Sequence, residues 1–300
     1  MPEPIVKAKL HVVQLRQLLD GKATSLQQAL ESLARGRFRR TTECLKLIRA
    51  YQQLRESADK SLPRRIHAKA QPALTELRFM LEQVQQPKSA LKLFQKLETP
   101  ENQAAIDWAS ERLQQRHRKQ LENLAERAAK SLKDFSETAH RESLEPLTDA
   151  PLRRQQKQQL QRLTRELTRQ LAHIGKDNVT PDQLAELREL LRRCRFLLEL
   201  SSLLFDSSLP FDARLLDECR EKLKKADQWQ TTLRLLHELE PEFNARPRPM
   251  AREWLKLLEE IQAGSQKRAR KLAKSIRRDN SHWAGLRFAL VRLTGKTAID

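Results

Sequence analysis

The stretch at residues 181–200, PDQLAELRELLRRCRFLLEL, constrains the fold most, because its apolar positions recur every three or four residues. That spacing places the apolar side chains on one stripe of an α-helix and predicts a buried face. The stripe consists of Leu184, Leu187, Leu191, Cys194 and Leu198. Thr180 is suited to cap this helix, and Pro181 fits its first helical position.

A second stripe on the same predicted helix is basic. It consists of Arg188, Arg192 and Arg195. At 3.6 residues per turn it lies about 90° around the helix from the apolar stripe, at the edge of the buried face. Arg193 is predicted to lie nearly opposite the core and to meet water. Guanidinium groups stay protonated and form paired hydrogen bonds to phosphate, so the row suits a multiply charged anion.

An alternative for these arginines is a solvated helix face with local ion pairs. The carboxylates within reach on the same predicted helix are Glu186, Glu189 and Glu199. The sequence of this helix leaves both interpretations open.

The whole chain favours an all-α fold. Its 300 residues include only 6 glycines, and 32% of them are charged. Leu, Ala, Gln, Glu, Lys and Arg, which favour helices, dominate, and no segment alternates as a strand does. Apolar positions recur at helical spacing through most of the chain, which predicts a folded protein of one large or two modest domains.

Turn and cap residues predict several helix boundaries. A first helix is expected to end at Gly21, with Thr24 or Ser25 capping the next one. Thr99 is expected to cap a long helix, with Pro100 at its first position. Asp149 is expected to cap a helix that runs to about residue 172. The last predicted helix covers about 250–278, after a proline-rich break.

An internal repeat is suggested by residues at one common offset. Trp108 and Trp254 are 146 positions apart (254 − 108), and so are Arg49 and Arg195 (195 − 49). Agreement at two separated landmarks favours a duplication. We therefore predict an N-terminal helix (1–24), a first helical bundle (25–148) and a second (149–300) that ends in a basic helix. If the basic helix edges of the two bundles face one another, they form one central cationic groove.

The charge of the chain points to a polyanionic partner. Its formal net charge is +19, and a compact fold that carries this excess repels itself. Nucleic acid, a membrane surface and inorganic polyphosphate are the candidates. No apolar run is long enough to span a bilayer, so we expect a soluble protein, with no membrane among its partners. The three cysteines include no CxxC pair, which indicates reduced thiols and a cytosolic protein.

Catalytic and metal-binding motifs are absent from the sequence. It contains no P-loop, no dinucleotide-binding fingerprint and no GxSxG, and its seven histidines are scattered. We therefore expect no catalytic residue, no metal site and no cofactor. The four tryptophans are expected in cores or at their boundaries and not as platforms for base stacking. Aromatic residues make up only 5% of the chain, and readers of single-stranded nucleic acid need them exposed in the basic groove.

The helix at 181–200 resembles the signature helix of the CHAD family, the conserved-histidine α-helical domain. The family pattern is a histidine, an arginine three positions later, a basic pair four further on, and then an arginine followed by an aromatic residue. The positions that match are Arg188, Arg192, Arg193, Arg195 and Phe196. Ala185 stands at the position of the histidine.

Other segments extend this resemblance over about residues 25–290. In the first half, Lys46 and Arg49 fit the pattern, while Arg39 stands at the histidine position and Thr42 where arginine is expected. The segment LKKADQW at 223–229 is similar to a Leu-Lys-x-x-Gln segment of the family. The segments 108–119 and 254–278, each a tryptophan followed by basic residues, resemble the closing helix of each family half.

The resemblance implies duplicated helical bundles around a basic cavity that binds inorganic polyphosphate. The residues expected to bind it are Arg39, Lys46, Arg49, Arg112, Arg116, Arg188, Arg192, Arg193, Arg195, Lys224, Lys225, Arg268 and Lys271. A nucleic-acid-binding helical protein and a helical scaffold for acidic protein partners are the alternatives. We expect a cytoplasmic location, with association with polyphosphate granules as a further option.

Overall fold

The computed structural model describes residues 3–58, 70–144, 152–176, 180–205, 213–243, 248–278 and 281–294. Within these ranges every regular element is helical, which confirms the predicted all-α class. The α-helices are α1 (Glu3–Ala34), α2 (Thr41–Ala58), α3 (Ala70–Leu97), α4 (Gln103–Leu144), α5 (Leu152–Lys176), α6 (Pro181–Phe205), α7 (Ala213–Phe243), α8 (Arg248–Arg277) and α9 (His282–Thr294). A short 3-10 helix, Phe38–Arg40, precedes α2.

Helix α1 is continuous where the sequence predicted a break, so the expected helix end at Gly21 was wrong. The Thr24 hydroxyl does not cap a new helix but donates to the carbonyl of Asp20 at 3.0 Å. Leu19 and Leu26, on either side of the glycine, are both buried in one core. Packing on both sides outweighs the cost of a helical glycine, about 1 kcal/mol.

The start of α4 also differs from the prediction. Asn102, not Thr99, is the N-cap, because the Asn102 carbonyl accepts the first helical hydrogen bond, from the Ile106 N–H at 3.0 Å. The Asn102 side chain accepts from the Thr99 N–H and donates to the Leu97 carbonyl, both at 2.9 Å. The predicted cap Asp149 lies outside the described residues. Helix α9 was not predicted.

The helices form two compact units, each built from three separate segments. Unit 1 comprises Met1–Gln85, Arg116–Gln159 and Phe196–Ser207, and unit 2 comprises Gln86–Gln115, Leu160–Arg195 and Ser208–Asp300. The predicted division into an N-terminal helix and two repeated bundles stays a prediction.

The core of unit 1 is formed by apolar stripes of α1–α4 and by the C-terminal part of α6. Leu26 and Leu30 of α1 and Ile48 of α2 are buried there. The rings of Tyr51 and Phe135 meet edge to face, with centroids 5.1 Å apart. Each fully buried leucine contributes about 1.5–3 kcal/mol, so the spacing of these residues determines which faces of the helices pack.

The core of unit 2 contains an aromatic cluster. Trp108 of α4 packs edge to face against Phe243 of α7, with centroids 5.1 Å apart, and Phe243 stacks on Trp254 of α8 at 4.5 Å. Trp283 of α9 is also buried. These positions confirm that tryptophans serve packing in this chain. Every helix in the described ranges is too short or too polar to cross a bilayer.

Candidate anion-binding site

Helix α6 begins and packs as its sequence predicts. Thr180 accepts a hydrogen bond from the Gln183 N–H at 3.2 Å, and the Gln183 side chain accepts one from the Thr180 N–H at 2.9 Å. This reciprocal pair satisfies two backbone donors that a helix start otherwise leaves free. The predicted apolar stripe is buried: Leu184, Leu187, Leu191, Cys194 and Leu198. Because this stripe faces the core, it fixes the rotation of α6 about its axis and thereby the positions of the α6 arginines.

The arginines at the edge of α6 are partly exposed, and each binds a carboxylate within unit 2. Arg188 pairs with Asp227 and Arg195 with Asp217, so both contacts join α6 to α7. Arg192 pairs with Glu189 on its own helix, with Nε and Oε2 3.0 Å apart. The local-pairing alternative from the sequence is therefore correct for Glu189. Arg193, predicted to face water, is partly buried and has an interaction partner.

The two α7 aspartates were not predicted from the sequence. Asp217 also lies 3.3 Å from Arg220, one turn further along α7. Burial raises the pKa of Asp227 above its usual value, while the charges of Arg188 and Arg234 oppose that rise. The two aspartates are ten residues apart on α7 and their arginine partners are seven apart on α6, so no common spacing in the sequence indicates the pairing.

In unit 1 the predicted binding residues are a mixture of exposed and paired side chains. Arg49 of α2 binds Glu82 of α3 at 2.7 Å, and Glu82 is 3.9 Å from Arg78. Arg39, in the short 3-10 helix, and Lys46 of α2 are exposed. Arg116 of α4 is partly buried and has an interaction partner.

The remaining predicted residues lie on α4, α7 and α8 in unit 2. The Arg112 guanidinium lies 5.9 Å from the ring centroid of Trp108 and 3.8 Å from the Glu242 carboxylate. Lys224 is 3.4 Å from Glu221, and its neighbour Lys225 is exposed. Arg268 and Lys271 follow on α8.

The C-terminal half of α8, together with the residue that follows it, carries the densest group of exposed cations in the described part of unit 2. We call this group the α8 basic run; its members are Lys267, Arg268, Arg270, Lys271, Lys274, Arg277 and Arg278. The sequence from 264 to 278 contains no acidic residue. The Arg268 guanidinium lies over the ring of Trp229, 5.8 Å from its centroid. The run thus differs from the paired α6 arginines.

The described residues contain no group of His, Cys, Asp and Glu side chains that could hold a metal ion. Cys44, Cys194 and Cys219 are free and buried, and burial raises the pKa of each thiol to about 12. At neutral pH these thiols are protonated and packed in the cores.

Comparison with known proteins identifies the class of fold. No family model matches the sequence, and the curated proteins contain no match. The structure is similar to the crystal structure of the CHAD domain from the plant Ricinus communis, with a TM-score of 0.61 and 12% identity over 93% of this chain and 91% of that chain. It is also similar to PptA from Streptomyces chartreusis, with a TM-score of 0.56 and 15% identity over 95% and 99% of the two chains.

The chain therefore has the fold of the CHAD domain. This finding confirms, at the level of the fold, the resemblance carried by Arg188, Arg192, Arg195 and their neighbours. The roles of the predicted binding residues, and a groove shared by two repeated bundles, stay predictions.

Proposed function

We propose that this chain binds inorganic polyphosphate without catalysing a reaction, and that the α8 basic run is its main contact. The main observation in support is that every Lys and Arg from 267 to 278 is exposed, and that this segment contains no Asp or Glu. The run extends about 16 Å along the helix axis at 1.5 Å per residue. A linear polyanion can follow it and bind several cations at once.

The physical basis is the unrelieved repulsion within the run. Residues three or four apart on a helix have Cβ atoms about 5–6 Å apart, which is less than the screening length of about 8 Å at physiological salt. The opposite face of the helix, with Leu272 and Ile276, is buried and holds the cations in place. A polyphosphate chain relieves this repulsion and releases counterions, so we expect a steep loss of affinity with salt, as for DNA.

Polyphosphate is favoured over nucleic acid for two reasons. The CHAD-domain fold agrees with the sequence resemblance that implies polyphosphate. In addition, Trp108, Trp254 and Trp283 are buried, and the ring of Trp229 is covered by Arg268. Single-strand binders gain about 1–3 kcal/mol from each stacked base, and these four rings do not supply such platforms.

The experiment compares substitutions on three helices of unit 2. The α8 variant is Arg270→Gln/Lys271→Gln/Lys274→Gln, and the α6 variant is Arg188→Gln/Arg192→Gln/Arg195→Gln. The matched control on α5 is Arg162→Gln/Arg165→Gln/Arg169→Gln, which removes the same charge from exposed positions. Binding of polyphosphate of defined length is measured by titration calorimetry.

We expect the α8 variant to lose at least about tenfold in affinity and the control to lose less than about threefold. The reason is that cations in direct contact with the ligand contribute more to affinity than the net charge of the chain does. The α6 variant is expected to fall between them, since its arginines are already paired. Equal losses in all three would indicate a diffuse surface effect and contradict the proposal. A competition in which DNA displaces polyphosphate at matched phosphate concentration would favour the nucleic-acid alternative.

Cytoplasmic location and association with polyphosphate granules belong to the same proposal. The buried free thiols of Cys44, Cys194 and Cys219 support a reducing compartment. A fluorescent fusion should accumulate on granules in cells that make polyphosphate and become diffuse in cells that do not. Retention of the foci without polyphosphate would contradict this part.

A further inference from the structure

We propose that the carboxylates paired with the α6 arginines determine ligand specificity, by acting as internal anions that an incoming phosphate group must displace. These carboxylates are Asp217, Asp227 and Glu189. The inference rests on the proposed function, because it assigns a role within polyphosphate binding. The site predicted from the sequence consisted of basic residues alone, and this inference adds acidic residues to it.

The contacts place one acid at each arginine. Asp227 binds Arg188, Glu189 binds Arg192 and Asp217 binds Arg195. Arg188 and Arg195 lie about 10 Å apart along the helix axis, given a rise of 1.5 Å per residue. The formal charge of the three pairs is zero. The arginine row therefore attracts a distant polyanion much less than its sequence suggests.

The acids are able to leave their partners. The exposed fractions of the side chains are 26% for Asp227, 41% for Glu189 and 46% for Asp217. One partner of each pair is more than 40% exposed, and ion pairs that water reaches in this way contribute little net stability. A phosphate group can therefore take over a guanidinium while the carboxylate turns toward solvent.

Displacement has a cost that depends on the ligand. After exchange, the freed carboxylates stay near the bound phosphates and repel them. Asp217 remains beside Arg220, which keeps its charge near α6. Burial disfavours the charged form of Asp227, as its raised pKa indicates, so loss of Arg188 removes one of the charges that stabilise this carboxylate.

Charge density decides which ligands overcome this cost. Inorganic polyphosphate carries a charge on every phosphorus, and a single bridging oxygen separates neighbours. Nucleic acid spaces its charges by a sugar in each strand, so fewer of them fit along the arginine row. The freed acids cost DNA more, because its sugars and bases also cover the carboxylates and remove their water, whereas polyphosphate has no bulk beyond its phosphate groups. Such repulsive elements are a general source of specificity.

The test uses amide substitutions that keep the side-chain shape. In the variant Asp217→Asn/Asp227→Asn, two of the three acids that pair with the arginine row lose their charge. The matched control, Glu186→Gln/Glu259→Gln, removes the same charge from exposed positions on α6 and α8 of unit 2. The dissociation constants for polyphosphate and for single-stranded DNA are measured at equal phosphate concentration and salt.

We expect the aspartate variant to bind both ligands more tightly but DNA by far more, so that the preference for polyphosphate falls about tenfold relative to the control. An equal preference in the aspartate variant and the control would overturn the inference. If circular dichroism shows that the aspartate variant is unfolded, Glu189→Gln serves in its place, with Glu186→Gln as its control.

The two proposals fail in different ways. Absence of polyphosphate binding by the unmodified chain would refute the proposed function. Normal binding by the unmodified chain, together with an unchanged preference in the aspartate variant, would refute the specificity role alone.

Discussion

The indole rings of Trp108 and Trp254 meet edge to face, with centroids 5.5 Å apart and ring planes at 85°. The two residues were singled out in the sequence because they share the offset of 146 positions with Arg49 and Arg195. In the structure they lie in one cluster with Phe243. The two tryptophans that indicated the repeat in the sequence thus pack in the same hydrophobic core.

Removal of either ring should destabilise the fold strongly. We expect Trp108→Ala and Trp254→Ala each to lower the free energy of unfolding by about 3–5 kcal/mol, because a large buried side chain leaves a cavity. Urea denaturation followed by far-UV circular dichroism measures the loss. Leu255→Ala is the control, since Leu255 is the exposed neighbour of Trp254, and a loss above about 0.5 kcal/mol there would be unexpected.

The glycine at 264 is required by close packing of α8 on α7. A Cβ atom at Gly264 would overlap the six-membered ring of Trp229. Gly264→Ala should therefore cost about 1–3 kcal/mol through overpacking. Trp229→Leu in the same chain should remove most of that penalty, and thermal melts of the two single variants and the double variant test the coupling.

A second glycine gives the opposite expectation. Gly21 lies within α1, and a Cβ atom there meets nothing within 4 Å. Gly21→Ala should raise the free energy of unfolding by about 0.5–1 kcal/mol, because alanine favours the helix. A decrease would mean that the helix breaks at Gly21 after all.

The cap residues distinguish the sequence prediction from the structure. Asn102→Ala should cost about 1–2 kcal/mol, because it removes the Asn102 hydrogen bonds to Thr99 and Leu97 at the start of α4. Thr99→Ala, which alters the cap expected from sequence, should cost less than about 0.5 kcal/mol. Chemical denaturation of both variants is the measurement, and the reverse order would restore Thr99 as the cap.

The cysteines should be unreactive in the folded chain. With a pKa of about 12, about one thiol in ten thousand is ionised at pH 8, against about one in four in the unfolded chain. Labelling with a chromogenic disulfide should therefore be slow under native conditions and should titrate all three thiols in guanidinium. Rapid native labelling of Cys44, Cys194 or Cys219 would show that its burial is incomplete.

Much of the fold could be predicted from local spacing. The apolar stripe of α6, with Leu187 and Leu191, follows from a helical period that packing preserves, and Thr180 caps that helix as expected. The continuity of α1 could not be predicted in this way. Gly21 resembles a helix end in sequence, and only burial of Leu19 and Leu26 in one core explains the continuous helix.

The candidate site was predicted in part. The position of Arg188, Arg192 and Arg195 at the edge of a buried face follows from 3.6 residues per turn. The pairing of Arg192 with Glu189 also follows, because residues three apart on one helix are neighbours. The α8 basic run was visible as a charge cluster, and its exposure agrees with its lack of acidic neighbours in sequence.

By itself, the sequence of this chain determined the helical class, the buried stripes, the thiols in the cores and the excess of positive charge, because each depends on residue type and on short, regular spacing. Only the tertiary structure decided that Asp227 and Asp217 lie against Arg188 and Arg195. The residues of these pairs are 39 and 22 positions apart. Their contact depends on the register in which α6 and α7 pack, and no local period encodes that register.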